Sequence, residues 1–403
     1  MVQSEAAILC RSHQKEGYPM TAPNDGSLFR RLGTRPVINA CGIYTDLGGS
    51  RLSPGVWAAM AEANETFVRL TDLLDSSGAH IAKLLGADAA RVTPGAAAAI
   101  MLGTAACLAG ADGTKSEQLP DTTGMKSEVL IQAGHRYKYD RQVAMTGAKL
   151  VEIGSANGTR ADQFEQALGE NTAMVIHPAH LDGKPGTLSL EEVAAIAHKR
   201  GVPVFVDAAY MNYPTDLMAG YLKRGGDMVA ISAKYFGGPN AGGFILARKD
   251  LIPAIANVHF TRYESGKYLK YGRPLKMDRQ TIIAVVVALE EWLKTDHKAR
   301  FATYVRQADL LKSKLQGLPG LDLAPMCFTM DERLVPDPVN SLVITFDKAK
   351  AGLTANEAAD KLAAGDPSIL AVVEGDRLAV VMDVLEDAEI LLIAERLRSI
   401  LKR

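Results

Sequence analysis

Three short segments carry residue types that could do chemistry together. VPVFVDAAY ends an apolar run on Asp207, and twenty-seven positions later SAKYFGG carries Lys234 at the end of the next run. Upstream, VTPGAAAAIM sets Gly95, Ala96 and Ala97 at the expected start of a helix. Small residues there let a phosphate reach free backbone N–H groups and the positive end of the helix dipole. A lysine can form a Schiff base with an aldehyde, and a buried carboxylate can keep a pyridine nitrogen protonated. With a helix N-terminus for the phosphate, the three describe a site for pyridoxal 5'-phosphate (PLP). Singly, each has a plainer explanation: a strand-terminal Asp caps a helix, a lysine after a strand is solvated, an alanine-rich helix start packs. Their order, spacing and shared sheet edge favour the chemical one. No GxxxxGK[ST], and no GxGxxG after a strand, competes.

The elements that must position these residues follow from hydrophobic periodicity. Candidate strands are EVLIQ (128–132), KLVEIG (149–154), TAMVIH (172–177), VPVFVD (202–207), DMVAIS (227–232) and GGFILA (242–247). Helical patterns lie between them at 161–168 and 188–200; in the latter Leu190, Val193, Ala194 and Ala197 share one face. Such alternation predicts an α/β fold with a mainly parallel sheet and helices on both faces. Ligands of such sheets bind beyond the carboxyl ends of the strands, where Asp207 and Lys234 fall. After residue 276 the pattern changes to one long helical stretch (281–316), a strand (339–346), a helix (354–364), a hairpin about Glu374–Asp376 and a last helix (386–402). The expected domains are an N-terminal extension (1–34), a large cofactor domain (35–280), and a connecting helix with a small α+β C-terminal domain (281–403).

The 403 residues carry 45 Lys+Arg against 46 Asp+Glu, a net charge of -1 that gives no overall attraction to nucleic acid. A 47% hydrophobic share excludes disorder. Cys10, Cys41, Cys107 and Cys327 form no CxxC pair, which suits neither zinc nor a disulfide framework and fits a reducing cytoplasm. The opening MVQSEAAILCRSHQKEG is too short in apolar residues for a secretory signal. From Val92 to Ala111 no charge occurs, but Ala, Gly and Thr predominate, so a helix buried on the sheet is expected rather than a membrane span. His177 and His180 (HPAH) lack a third ligand at metal spacing; no metal is expected, and His177 is assigned to the polar lining of the pocket.

The chain resembles fold-type-I PLP enzymes, and within them the selenocysteine synthase / D-glucosaminate-6-phosphate ammonia-lyase group. The resemblance lies in RPVINACGIYTDLGGS (35–50), GADAARVTPGAAAAIMLGTAAC (86–107), HRYKYDRQV (135–143), VFVDAAY, SAKYFGGPNAGG (232–243) and GRPLKMDRQTI (272–282). It implies a seven-stranded sheet, Lys234 as the Schiff-base lysine and Asp207 as partner of the pyridine nitrogen. Gly95, Ala96 and Ala97 would cradle the phosphate, with Ser232 as a hydroxyl contact. His135 falls where such enzymes stack a residue on the cofactor ring. Asn39, Thr45 and the Gly48–Gly49 turn would approach the substrate, in sites commonly shared between the subunits of a homodimer or larger homo-oligomer. Residues 262–279 hold six basic and two acidic side chains, a local +4, and Arg273 is the candidate for a substrate carboxylate or phosphate. Two departures stand out: Pro94 replaces the more usual Ser, and VMDVLEDAEI lacks a Gly-containing turn.

The function expected from this resemblance is a lyase. Lys234 would abstract the α-proton of a small anionic, hydroxylated, D- or sugar-derived amino acid, and β-elimination would release a keto acid and ammonia. Aminotransfer and racemisation use the same Lys and Asp. Selenium transfer to an aminoacyl-tRNA is disfavoured by the roughly 35 residues before the shared core and by the charge balance. A decayed, non-catalytic scaffold is disfavoured by retention of Lys234 and Asp207.

Overall fold

The computed structural model describes residues 26–328 and 339–401. Cys10, most of the expected 1–34 extension and the last residues of the 281–403 unit lie outside the described residues. The strands are β1 (Val37–Ala40), β2 (Ala89–Thr93), β3 (Glu128–Gln132), β4 (Lys149–Ile153), β5 (Thr172–Pro178), β6 (Val204–Asp207), β7 (Met228–Ser232), β8 (Gly243–Ala247), β9 (Leu321–Met326), β10 (Ser341–Phe346), β11 (Ser368–Glu374) and β12 (Arg377–Val381). β2 to β8 form one seven-stranded sheet in the order β2-β8-β7-β6-β5-β3-β4. From β7 to β4 every pairing is parallel, whereas β8 runs antiparallel to both β2 and β7.

Burial on both faces explains the apolar runs. Every residue of β5, β6, β7 and β8 is buried. On one face packs the helix Gly95–Ala109, whose alanines let it lie close; a methyl on Gly103 would overlap the Phe205 ring of β6. The uncharged run beginning at Val92 is thus a core helix, and no helix among the described residues is long and apolar enough to cross a membrane. The opposite face carries Leu70–Leu85 and Arg279–Lys294, packed through Leu74, Ile81, Ile282, Val285 and Leu289.

Two boundaries differ from expectation. β1 pairs in parallel with β11, so residues 37–40 join the small sheet, ordered β1-β11-β12-β10-β9, and not the sheet of the large unit. The chain then crosses back towards Lys234. The long helical stretch is two helices, Arg279–Lys294 and His297–Leu315. Thr295 takes an extended backbone, and the Asp296 side chain caps the second helix by accepting from the Ala299 N–H. Periodicity alone hides such a break, because the apolar stripe resumes after it.

Candidate active site

The carboxyl edge of the seven-stranded sheet gathers the expected chemistry. Thr93, Gly243 and Ser232 lie in register across β2, β8 and β7, and Asp207 ends β6 beside Ala230. Beyond Thr93, Gly95 takes φ 84°, which lets the backbone turn sharply into the helix Gly95–Ala109. Gly243 keeps this corner open: a Cβ there would stand 2.5 Å from the Ile231 carbonyl oxygen and 2.9 Å from Gly95 Cα. Ala96 is buried and Ala97 exposed, so the first helical turn opens outward.

After β7 a single tight turn, Ala233–Phe236, carries Lys234 into the site at 8% exposure. Its Nζ donates to Thr45 Oγ1 at 2.7 Å and lies 4.9 Å from the centre of the Tyr235 ring. Burial, and then repulsion from Lys138, lower the Lys234 ammonium below its ordinary pKa, against a pull upward from Asp46. Thr45 is strapped to the loop after Lys234: its carbonyl accepts from Asn240 Nδ2 at 3.1 Å, and Ser50 Oγ donates to the Gly238 carbonyl at 3.1 Å. Segment 45–50 therefore reaches the lysine within one chain.

Asp207 is 6% exposed. Its Oδ2 accepts from the Tyr137 hydroxyl at 2.5 Å and its Oδ1 from the Ala209 N–H at 3.3 Å. Burial raises its pKa, and these two hydrogen bonds pull the other way. A wall of rings runs from it to Lys234: Tyr137 to His180 at 5.3 Å, His180 to Tyr210 at 6.0 Å, Tyr210 to Tyr235 at 6.0 Å.

Several expected residues fall elsewhere. His135 is fully buried, with Nε2 3.0 Å from Thr187 Oγ1, Nδ1 3.4 Å from Gln132 Nε2, and its ring 5.0 Å from that of His177. A stacked ring needs an open face, and His135 has none. His177, 1% exposed inside β5, holds Asp182 Oδ1 at 3.2 Å and is likewise closed to a substrate. Asn39 is committed to its own turn, donating to the Gly42 carbonyl and accepting from the Cys41 N–H, each at 2.9 Å. Arg273 is taken by Glu264, at 3.0 Å from Nε and 2.9 Å from Nη2, because the nearest acid lies on its own loop.

Sequence reasoning passed over Tyr137, Lys138 and Tyr235, although the first two stand in the HRYKYD segment and the third beside Lys234. Extended backbone at Arg136 carries Tyr137 beyond His135 to Asp207. Lys138 is exposed, and among the described residues it forms no salt bridge.

The residues present suit PLP. A corner kept free of side chains stands at a helix N-terminus, a buried amine sits two residues beyond Ser232, and a buried carboxylate lies on the adjacent strand. Among the described residues no group of His, Cys, Asp and Glu could hold a metal ion. Fold and site define a PLP-dependent enzyme of fold type I. The L-seryl-tRNA selenium transferase family model matches residues 37–316, and the chain belongs to that family. It is 30% identical to a 5'-C-glycyluridine monooxygenase-decarboxylase of Streptomyces, over 85% of this chain and 83% of the relative. It is also 30% identical to the D-glucosaminate-6-phosphate ammonia lyase of Salmonella typhimurium, over 73% and 77%. A solved D-glucosaminate-6-phosphate ammonia-lyase superposes with a TM-score of 0.81 at 27% identity, covering 95% of this chain and 99% of that one.

Proposed function

We propose that the protein is an ammonia-lyase-type enzyme, which removes the α-proton of a small hydroxylated, anionic amino acid and eliminates its β-hydroxyl. The observation that carries this is the likeness to the solved ammonia-lyase, which extends over 95% of this chain at a TM-score of 0.81.

When bound, PLP supplies an electron sink that acidifies the α-carbon of an attached amino acid. Lys234, Asp207, Ser232 and the backbone of Gly95, Ala96 and Ala97 are the residues that would hold it. Lys234 Nζ takes the α-proton, and its lowered pKa leaves a larger neutral fraction for that task near neutral pH. Thr45 Oγ1 accepts from the same nitrogen and fixes its direction. Asp207 holds a proton at the ring nitrogen. The ring wall excludes water from the space between them. Lys138, exposed at the mouth and near enough to repel Lys234, supplies positive charge for the anionic end of the substrate. Loss of the β-hydroxyl as water, followed by addition of water, yields a keto acid and ammonia, so the overall balance needs no further reactant. We place the enzyme in the cytoplasm and expect a homodimer.

The test is incubation of the purified holoenzyme with D- and L-3-hydroxy amino acids bearing a phosphate or second carboxylate. Keto acid and ammonia in equal amounts support the lyase. Nitrogen transfer to an added keto acid without free ammonia indicates an aminotransferase, and inversion without either product a racemase. Oxygen uptake with carbon dioxide release would align the chain with its Streptomyces relative, and selenium incorporation into a seryl-tRNA with the family's namesake.

A further inference from the structure

The segment Arg136–Asp140 is built to deliver one hydroxyl group. Asp140, 4% exposed, accepts from the Tyr137 N–H at 3.1 Å and from Arg136 Nε at 2.5 Å. Arg136 also reaches Glu152 on β4. The turn is therefore pinned from below, and what it presents above is the Tyr137 phenol on Asp207 Oδ2 at 2.5 Å. The groups facing Asp207 are Tyr137 from the loop after β3 and Tyr235 from the turn after β7; His180 after β5 and Tyr210 after β6 complete the wall behind them. Among the described residues no Lys, Arg or His forms a salt bridge with Asp207.

A carboxylate offers about four lone-pair sites, and Asp207 uses two within the chain, so room for a ring nitrogen remains. An isolated ion in so dry a place is costly, and a donor to the charged form offsets that cost. We infer that Tyr137 is the positioning residue of this site: its hydroxyl holds Asp207 ionised and oriented, and so sets the pH range over which the protein retains PLP. The inference rests on the cofactor and not on the lyase reading, and it survives if the substrate proves different.

Tyr137→Phe keeps the ring and its edge contacts while removing only the donor. The experiment titrates cofactor-free protein with PLP between pH 5 and 9, following the visible cofactor band, for the wild type, Y137F, D207N and the double variant. Losing a donor to the ionised form raises the carboxyl pKa, so the acid limb of PLP affinity moves to higher pH, by about one unit. On the acid side the Kd rises about tenfold. In the D207N background, where nothing titrates, the Y137F loss shrinks below about threefold. Asp140→Asn, which loosens the turn without touching Asp207, moves the limb the same way by less, and it carries the test if Y137F fails to fold. A limb that stays in place in Y137F, or an equal loss in both backgrounds, overturns the assignment, as does tighter PLP binding by Y137F.

Discussion

Two buried aspartates stand at opposite edges of one sheet, and their partners differ. Asp227 precedes β7 at the amino edge, 2% exposed. Its Oδ2 accepts from His198 Nε2 at 2.8 Å and the Val204 N–H at 2.7 Å, and its Oδ1 from Arg248 Nη1 at 2.6 Å. Asp207 ends β6 at the carboxyl edge, 6% exposed, with one phenol, one long amide contact and, among the described residues, no cation. Burial is alike in the two; the completeness of the partner set is not. A carboxylate held by a guanidinium, an imidazole and an amide ties strands and helix together. One left without a cation is expensive to bury unless a positive partner arrives from outside the chain.

The harshest way to test the carboxyl edge is Lys234→Ala. Activity should fall on the order of 10³-fold or more, and the purified protein should lose its visible cofactor band; a retained band would move the cofactor's attachment elsewhere.

The aspartates can then be set against each other by urea denaturation of cofactor-free protein. Asp227→Ala removes the acceptor shared by His198, Arg248 and the Val204 N–H; Arg248 keeps Asp250, the buried Val204 N–H is left unpaired, and the cost should be about 2 kcal/mol. Asp207→Asn should change stability by less than about 1 kcal/mol or increase it, since it removes a buried charge with no cation. It should also cut PLP affinity. The pH dependence sharpens this contrast. The Asp207 carboxyl is raised in the fold, so the unfolded chain releases that proton first. Its contribution to stability is lost as pH rises from the ordinary carboxylate range to the raised folded value, and D207N should remove that loss. Equal destabilisation by both variants would erase the distinction.

His135 provides a third test. Burial, followed by the neighbouring His177, pushes its pKa from the ordinary 6.5 down to about 3. Its stabilising effect is present above pH 6.5 and lost as pH falls below it, on the order of 2 kcal/mol by pH 5. His135→Gln should flatten that acid loss and leave PLP affinity unchanged, whereas a large affinity loss would restore a stacking role. The smallest effect expected is from Thr45→Val, which deletes the hydroxyl that accepts from Lys234. About 1 kcal/mol, or roughly fivefold in kcat with little change in KM, is expected from steady-state kinetics.

Much of the site was legible because the sheet imposes a simple rule. An apolar run that ends on Asp207 or just before Lys234 can end only at a sheet edge, and parallel strands share that edge. The glycine at 95 was readable for the same reason. β2 was missed as a strand because AARVT is short and holds Arg91. Asn39 and Thr45 lay in a segment that resemblance placed near the site, and the two separated: Asn39 closes a local turn while Thr45 reaches Lys234. HPAH and HRYKYD both reach toward Asp207, through His180 and Tyr137, while the expected His177 and His135 are buried beside each other. Which residue of an irregular loop turns inward depends on backbone angles, and composition does not encode them.

Sequence by itself pointed to the cofactor chemistry, the parallel sheet and the two residues proposed for its site, because hydrophobic periodicity and strand ends are local properties. Only the tertiary structure decided that β1 belongs to the small sheet, that Arg273 is neutralised by Glu264, and that Tyr137 stands on Asp207. Each of those depends on a contact between residues distant in the chain or on one dihedral choice in a loop. Such contacts follow from the packing of the whole chain, which no local pattern records.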